Sequence, residues 1–315
     1  MRTAGSYDAR DLAARRSASR TTVSVILPAR NEAATIAAIV TAIRRDLMDT
    51  VTLVDELLVV DSGSTDDTAT IARAAGARVV AAADIRPDLG NQTGKGEALW
   101  KGLLATTGDV VVFLDADLQE FSSSYVVGLL GPLLTDPSVS FVKAAYDRPL
   151  LAGGQFFAEA GGRVTELVAR PLLNAHWPEL AWIVQPLAGE YAARRPLLAS
   201  LPFVTGYGVD LALLVDAYDA VGVGGIAQVD LGRKTHRHQS DASLGLMSAA
   251  IWRTALDRLD RSGRVKLGDD LGATLTQFRR AETGFASVTS DVVLDERPPL
   301  DRVSTSGHPL DRASK

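Results

Sequence analysis

Three observations predict an α/β domain built on a mainly parallel sheet. Short apolar runs of strand length alternate with segments of helical period, each run ends in a polar cluster, and the composition is globular. Of 315 residues, 46% are hydrophobic and 23% charged, enough to fill the core of one large domain and too apolar for a disordered chain.

The elements follow in order. Val23 to Leu27 reads as a short buried strand ending at Pro28, and Ala33 to Arg45 carries Ile36, Ile39, Val40 and Ile43 at helical spacing. Leu57 to Val60 is the second strand, closed by Asp61-Ser62-Gly63-Ser64-Thr65-Asp66. Thr65 or Asp66 can cap the helix that Gly76 ends. Arg78 to Ala82 is a third strand, Gly94 to Thr106 a helix, and Val110 to Leu114 a fourth strand. Beyond these, Val139 to Ala144 and Ile226 to Leu231 read as strands, and Asp210 to Ala220 and Leu244 to Leu259 as helices. Val164 to Leu173 reads as a helix interrupted at Pro171. No internal repeat is found. Periodicity fades after Ala281, and the stretch from Arg297 to Lys315, rich in Pro, Ser and charge, suggests a tail or arm.

Composition excludes several functions. The chain has no cysteine, so disulfides, thiolate metal sites and a cysteine nucleophile are absent. Its net charge of -5, without a long basic run, disfavours nucleic-acid binding. No segment approaches the ~20 apolar residues that span a bilayer, so stable membrane insertion is not expected. The first twenty residues carry charge throughout and lack the apolar middle of a signal peptide. They read as a solvated leader, and a cytoplasmic location is the default.

In a parallel α/β sheet, ligands bind at the carboxyl ends of the strands. Four clusters stand at such ends: Pro28-Ala29-Arg30-Asn31-Glu32, the Asp61 to Asp66 stretch, Gly94-Lys95-Gly96-Glu97, and Asp115-Ala116-Asp117. Two carboxylates one residue apart at a strand end point to the same side and repel. A divalent cation with a taste for hard oxygen, Mg2+ or Mn2+, relieves that repulsion. The plainer reading makes one of them a helix cap and leaves the other solvated. No glycine-rich fingerprint follows the first strand, and Gly94-Lys95-Gly96 lacks the spacing of a phosphate loop, so nicotinamide and P-loop chemistry are disfavoured.

The P-A-x-N-E, D-S-G-S-T-D-D-T and G-K-G-E-A-L-W strings and the D-x-D resemble family-2-type glycosyltransferases of GT-A fold. The later stretches narrow the resemblance. Gly161 to Leu173, Gln185 to Ala192, Gly206 to Asp210, and Ile226 to Gly232 with His236-Arg237 resemble the glucosyl- and mannosyl-3-phosphoglycerate synthase family. The likeness runs from about Val23 to Met247, and its most specific string is Gly161 to Leu173.

The resemblance implies a GT-A fold with a C-terminal helical extension and a division of the chain. Residues 1–21 would form a flexible leader, 22–147 a nucleotide-sugar-binding half, 148–280 the acceptor-binding half, and 281–315 a C-terminal arm. It implies transfer of a hexose from a nucleotide donor to the 2-hydroxyl of 3-phosphoglycerate with retention, helped by Mg2+ or Mn2+, in a homodimer. Asp117 and His236 match the metal ligands, although His236 also reads as a surface histidine in a basic turn. Pro28, Ala29, Arg30, Asn31, Glu32, Ser62, Lys95, Asp115, Ala116 and Asp117 match donor-binding positions. Lys95, at a helix start, is expected to face phosphate together with backbone N–H groups. Gly162, Arg163, Val164 and Thr165 match the acceptor site, where arginine offers a fork for phosphate oxygens. The alternative for Arg163 is a surface ion pair. Asp210 and the backbone carbonyl of Leu187 match groups near the reacting sugar, with Arg163 beside them.

Two departures bear on the donor. The glucosyl enzymes carry Glu where this chain has Asp210, and Ser where it has Ala116. UDP-glucose is the first expectation, followed by GDP-mannose or GDP-glucose. Two rival readings are a nucleotidyltransferase and an inert sugar-nucleotide-binding subunit. The first would carry a glycine-rich basic signature after the first strand, and the second would have lost Asp117 or His236; neither holds for this sequence.

Overall fold

The computed structural model describes residues 2–147, 150–152, 155–157, 162–234, 240–268 and 271–303. Strand β1 (Arg2–Thr3) leads to α1 (Ala9–Ser19), β2 (Val23–Ala29) and α2 (Ile36–Ile43). Then come β3 (Glu56–Asp61), α3 (Thr68–Ala74), β4 (Arg78–Ala81), α4 (Lys95–Leu104) and β5 (Val110–Phe113). Helix α5 (Ser124–Thr135) precedes β6 (Phe141–Asp147) and a small hairpin of β7 (Leu150–Ala152) and β8 (Gln155–Phe157). The second half holds α6 (Arg170–His176), β9 (Tyr191–Arg194), α7 (Arg195–Ser200), β10 (Phe203–Val204), α8 (Val209–Val221), β11 (Ile226–Arg233) and α9 (Asp241–Arg261). The chain continues through β12 (Thr274–Ala281), β13 (Gly284–Asp291) and β14 (Glu296–Arg297).

Eight strands form one sheet in the order β1-β11-β6-β9-β5-β2-β3-β4. Every neighbouring pair is parallel except those of β9, which runs antiparallel to both β5 and β6. The carboxyl ends of β2, β3, β5, β6 and β11 therefore meet the start of β9 along one edge. Alternation divides the core into two layers. Val23, Val25 and Leu27 pack with Ile36, Ile39, Val40 and Ile43 of α2 on one face. Ile26, Leu58 and Val60 pack with Trp100 and Leu103 of α4 on the other. Each of these side chains is fully or nearly fully buried, which stabilises by about 1.5–3 kcal/mol apiece; truncating Ile26 to alanine costs about 2–5 kcal/mol.

The structure corrects two expectations. The leader is not frayed. Asp8 caps α1 by accepting from Arg10 N and Asp11 N, Leu12 and Ala4 are buried, Arg16 pairs with Asp55, and Arg2–Thr3 extends the sheet on β11. Pro171 does not interrupt its helix. The backbone widens to a π turn over Thr165–Ala169, and the proline then sits in the first turn of α6, where its missing N–H is tolerated. Of the two forms expected after Ala281, tail or arm, residues as far as Val303 take that of an ordered arm. β12 and β13 form a hairpin, β14 pairs with β10, and Arg297 is buried. Among the described residues no helix is long and apolar enough to cross a membrane.

Candidate active site

The loops after β2 and β3 are stitched to each other. Ser62 N donates to Ala29 O at 2.9 Å, and Asn31 N donates to Ser64 Oγ at 3.0 Å. Asn31 Oδ1 accepts from Thr65 N at 2.8 Å, and Glu32 N donates to Thr68 Oγ1 at 2.7 Å. Asn31 adopts a φ of 60°, a left-handed conformation that asparagine tolerates better than most residues. Pro28, Ala29, Arg30, Asn31, Glu32 and Ser62 thus share one rim, with Arg30 and Asn31 exposed.

A charged cluster fills the edge between these loops and the second half. Lys95 Nζ lies 2.7 Å from Asp115 Oδ1 and 3.2 Å from Asp210 Oδ2. Lys234 Nζ lies 3.2 Å from the other Asp115 oxygen and also contacts Glu190. Below them Lys143, fully buried on β6, donates to the Asp210 carbonyl at 3.3 Å and sits 4.5 Å over the Tyr191 ring. Asp115 can occupy this place because residue 189 is glycine: a Cβ there would overlap both carboxylate oxygens.

Electrostatics follow from burial and pairing. Burial opposes ionisation of Asp115, but the ammonium groups of Lys95 and Lys234 hold its carboxyl well below the usual carboxylate range. Burial likewise works against the charge on Lys95, and Asp115 and Asp210 more than restore it. Lys234 is raised in the same way, against burial, by Glu190 and other anionic neighbours. Burial pushes Glu190 up, with Lys234 pulling the other way. Burial pulls Lys143 down to about 8, because the anions near it only partly compensate for lost water.

Asp115 is paired with Lys95 and Lys234, while Asp117 stands exposed. One expectation needs correcting here. Two of the first N–H groups of α4 do not face a ligand, since Gly96 N and Glu97 N both donate to Thr205 O, at 2.9 and 3.4 Å. Ala116 is buried, and its carbonyl accepts from Thr35 Oγ1 at 2.6 Å.

Gly162, Arg163, Val164 and Thr165 open the π-widened helix. Gly162 has a φ of 75°, Arg163 Nη1 pairs with Asp241 Oδ1 at 2.6 Å, and Val164 and Thr165 are buried. Thr165 Oγ1 lacks a hydrogen-bond partner among the described residues, as do Gln185 Oε1 and Glu190 Oε2. Buried polar atoms left unpaired are costly, and a bound polar ligand is one way to satisfy them. Leu187 is half-buried in the segment that Arg170 ties to α6 through the carbonyls of Ile183 and Val184, at 3.4 and 2.8 Å. Gln185 ties the same segment to β6 through Tyr146 O at 3.3 Å.

The structure thus brings Lys95, Asp115 and Asp210 into direct contact, and it adds Lys234, Glu190, Tyr191 and Lys143 to them. His236 lies outside the described residues. Among the described residues no three His, Cys, Asp or Glu side chains converge as a metal cage; Asp117 offers a single exposed hard-oxygen ligand, which suits a cation whose remaining ligands come from a diphosphate and a further residue. Of the added residues, the sequence offers Glu190 as a candidate carboxylate nucleophile and Lys143 as a cation at a neighbouring strand end, and assigns no role to Lys234 or Tyr191. A lysine at position 143 inside Phe-Val-Lys-Ala-Ala-Tyr is out of place in a buried strand unless it has a partner.

A family model described as Glycosyl transferase family 2 matches residues 24–147. A glucosyl-3-phosphoglycerate synthase from Mycolicibacterium smegmatis is 49% identical over 279 residues, 89% of this chain and 89% of the relative. The crystal structure of a mannosyl-3-phosphoglycerate synthase from Rubrobacter xylanophilus is similar with a TM-score of 0.88 at 40% identity, covering 95% of this chain and 94% of that one. The glucosyl-3-phosphoglycerate synthase of Mycobacterium tuberculosis, in complex with Mn2+, UDP-glucose and phosphoglyceric acid, gives a TM-score of 0.81 at 46% identity over 94% of this chain and 95% of that one. A further structure of that enzyme contains Mg2+ and UDP.

Proposed function

We propose that this chain, which belongs to the glucosyl-3-phosphoglycerate synthase family of glycosyltransferases, moves glucose from UDP-glucose to the 2-hydroxyl of 3-phosphoglycerate. The observation that carries the reading is the pair of ammonium groups, Lys95 and Lys234, held by Asp115 at the carboxyl edge of the sheet. A departing diphosphate needs cationic charge already in place, and pre-paired lysines, Lys234 buried and Lys95 partly exposed, supply it without reorganisation.

The site residues divide by position. Pro28, Ala29, Arg30, Asn31, Glu32 and Ser62 form the nucleoside rim, and Lys95, Asp115, Ala116 and Asp117 the diphosphate side. Gly162, Arg163, Val164 and Thr165 hold the anionic acceptor, for which Arg163 exchanges part of its pairing with Asp241 for phosphate. Asp117 and His236 would hold a divalent cation. Lys234, two residues before His236, touches Asp115, two residues before Asp117, which supports that pairing. When bound, Mg2+ or Mn2+ supplies Lewis-acid neutralisation of the leaving diphosphate.

Retention is achieved without a covalent enzyme intermediate. The two buried carboxylates at this edge are both engaged with lysine, Asp210 with Lys95 and Glu190 with Lys234, and so are poor nucleophiles. The acceptor hydroxyl attacks on the face that the diphosphate leaves. The bond from the anomeric carbon to the phosphate oxygen breaks, the bond to the acceptor oxygen forms, and the hydroxyl proton passes to the leaving oxygen. Asp210 and the Leu187 carbonyl orient and stabilise the cationic sugar, and the protein works by positioning.

The same reading places the enzyme in the cytoplasm as a homodimer. Support for self-association is the β12–β13 hairpin, which presents Phe278 and Phe285, each 70% exposed. The deciding experiment is a matrix of UDP-glucose, GDP-glucose and GDP-mannose against 3-phosphoglycerate and related acids, with and without Mg2+ or Mn2+, reading product stereochemistry by NMR. Glucosyl-3-phosphoglycerate of retained configuration is expected. No transfer to 3-phosphoglycerate from any donor refutes the proposal.

A further inference from the structure

The segment from Asp295 to Pro298 lies far in sequence from every residue assigned above, yet it grips α4, which carries Lys95, and the β10 stretch that leads into α8, which carries Asp210. β14 pairs antiparallel with β10, matching Phe203 with Arg297 and Val204 with Glu296. Arg297 is 7% exposed and forks onto Glu97, Nε to Oε2 at 2.6 Å and Nη2 to Oε1 at 2.7 Å. It also donates to Leu89 O at 2.8 Å and Gly90 O at 3.2 Å, and its guanidinium lies 5.0 Å over the Trp100 ring. Trp100 Nε1 donates to Pro298 O at 2.9 Å. Four contacts therefore clamp the first turns of α4.

The clamp continues to the other side of the site. Thr205 N donates to Asp295 O at 2.9 Å, and Thr205 O accepts from Gly96 N at 2.9 Å. Gly96 must be glycine, because a Cβ would overlap the Val204 carbonyl. Thr205 stands five residues before Asp210, and Gly96 follows Lys95. One short strap thus sets the start of α4 against the start of α8, and the Lys95–Asp210 contact of 3.2 Å is the outcome.

We propose that this strap is a positioning element of the transfer site, in which Arg297 acts through Glu97, and Asp295 through Thr205, to hold Lys95 against Asp210 and Asp115. The inference rests on the functional reading above and deepens it. A forked, buried arginine–carboxylate pair fixes direction as well as distance, whereas packing alone would leave α4 free to shift along β10. A displacement of about 1 Å at a group that meets the leaving diphosphate lowers turnover by about 100-fold.

The test uses the full chain with Arg297→Met, Arg297→Lys, Glu97→Gln and the double variant Arg297→Met/Glu97→Gln, each checked for folding by circular dichroism. Arg297→Met is expected to lower kcat by about 10- to 100-fold with the KM for 3-phosphoglycerate nearly unchanged, and the double variant to fall no further. Arg297→Lys, which keeps the charge and loses the fork, is expected to fall in between. Its kcat decides the matter if Arg297→Met does not fold. Lysine-detected NMR without substrate gives a readout independent of turnover: Lys95 is expected to titrate at lower pH in the variant than in wild type, because its anions have moved away. A lower melting temperature with unchanged kcat, or an unchanged Lys95 titration, overturns the proposal and assigns the strap to stability alone. Failure of the functional reading shows separately, as wild type without transferase activity and Lys95 still shifted by the variant.

Discussion

Gly189→Ala tests how tightly the site holds Asp115. The new Cβ would overlap both carboxylate oxygens and Cγ of Asp115. Ordinary contact needs about 3.4 Å or more between such atoms, so the carboxylate or the backbone must retreat by about 1 Å. That movement breaks the 2.7 Å contact with Lys95 and the 3.2 Å contact with Lys234. Overpacking a rigid position costs about 1–3 kcal/mol of stability, and misplacing by about 1 Å the two ammonium groups proposed to meet the diphosphate lowers kcat by about 100-fold. Steady-state kinetics with UDP-glucose and 3-phosphoglycerate measure the second effect, and a thermal melt the first. If Gly189→Ala keeps kcat within about threefold of wild type, the claim that Asp115 must sit against residue 189 to place the lysines is wrong.

Asp117→Asn is expected to leave the fold intact and to abolish the stimulation of transfer by Mg2+ or Mn2+; a metal titration that still activates the variant removes Asp117 from the ligand set. Arg163→Ala is expected to raise the KM for 3-phosphoglycerate about tenfold or more, in line with loss of a charge-assisted fork, while the KM for the donor stays near wild type. An equal rise in both argues against an acceptor role. Lys143 gives a pH signature. Its folded-state pKa of about 8 lies below the ordinary 10.5, so between those values the unfolded chain holds more protons and stability rises with pH. The contribution is complete above 10.5 and is lost as pH falls through 8, up to about 3 kcal/mol in all. Denaturant unfolding at pH 7 to 10 is expected to show wild type gaining on Lys143→Met as pH rises, and a constant gap contradicts a protonation change at Lys143.

Much of the fold was legible because its signals are local. Val23 to Leu27, Leu57 to Val60 and Val110 to Leu114 announce themselves as buried strands by apolar run and length, and the intervening helices by period. The polar strings at their ends marked the edge where Lys95, Asp115 and Asp210 meet. The leader was misread, and the segment after Ala281 not settled between tail and arm, for the opposite reason. Each is polar by composition, and its order comes from partners distant in the chain: Arg16 with Asp55, Arg297 with Glu97, and β14 with β10.

The D-x-D shows the same division. Sequence established that two carboxylates stand at a strand end, because that depends only on which residues follow an apolar run. It could not say what neutralises them. The answer for Asp115 is two lysines, at positions 95 and 234, delivered by α4 and by the end of β11. Residue types, the alternation of strands and helices and the family's motifs were therefore determined by the sequence itself, since each is a property of neighbours along the chain. Which charges pair, which N–H groups are already taken, and how far Lys143 is driven toward neutrality were decided only by the folded chain. Those quantities depend on distance and on exclusion of water, and both are set when remote segments pack together.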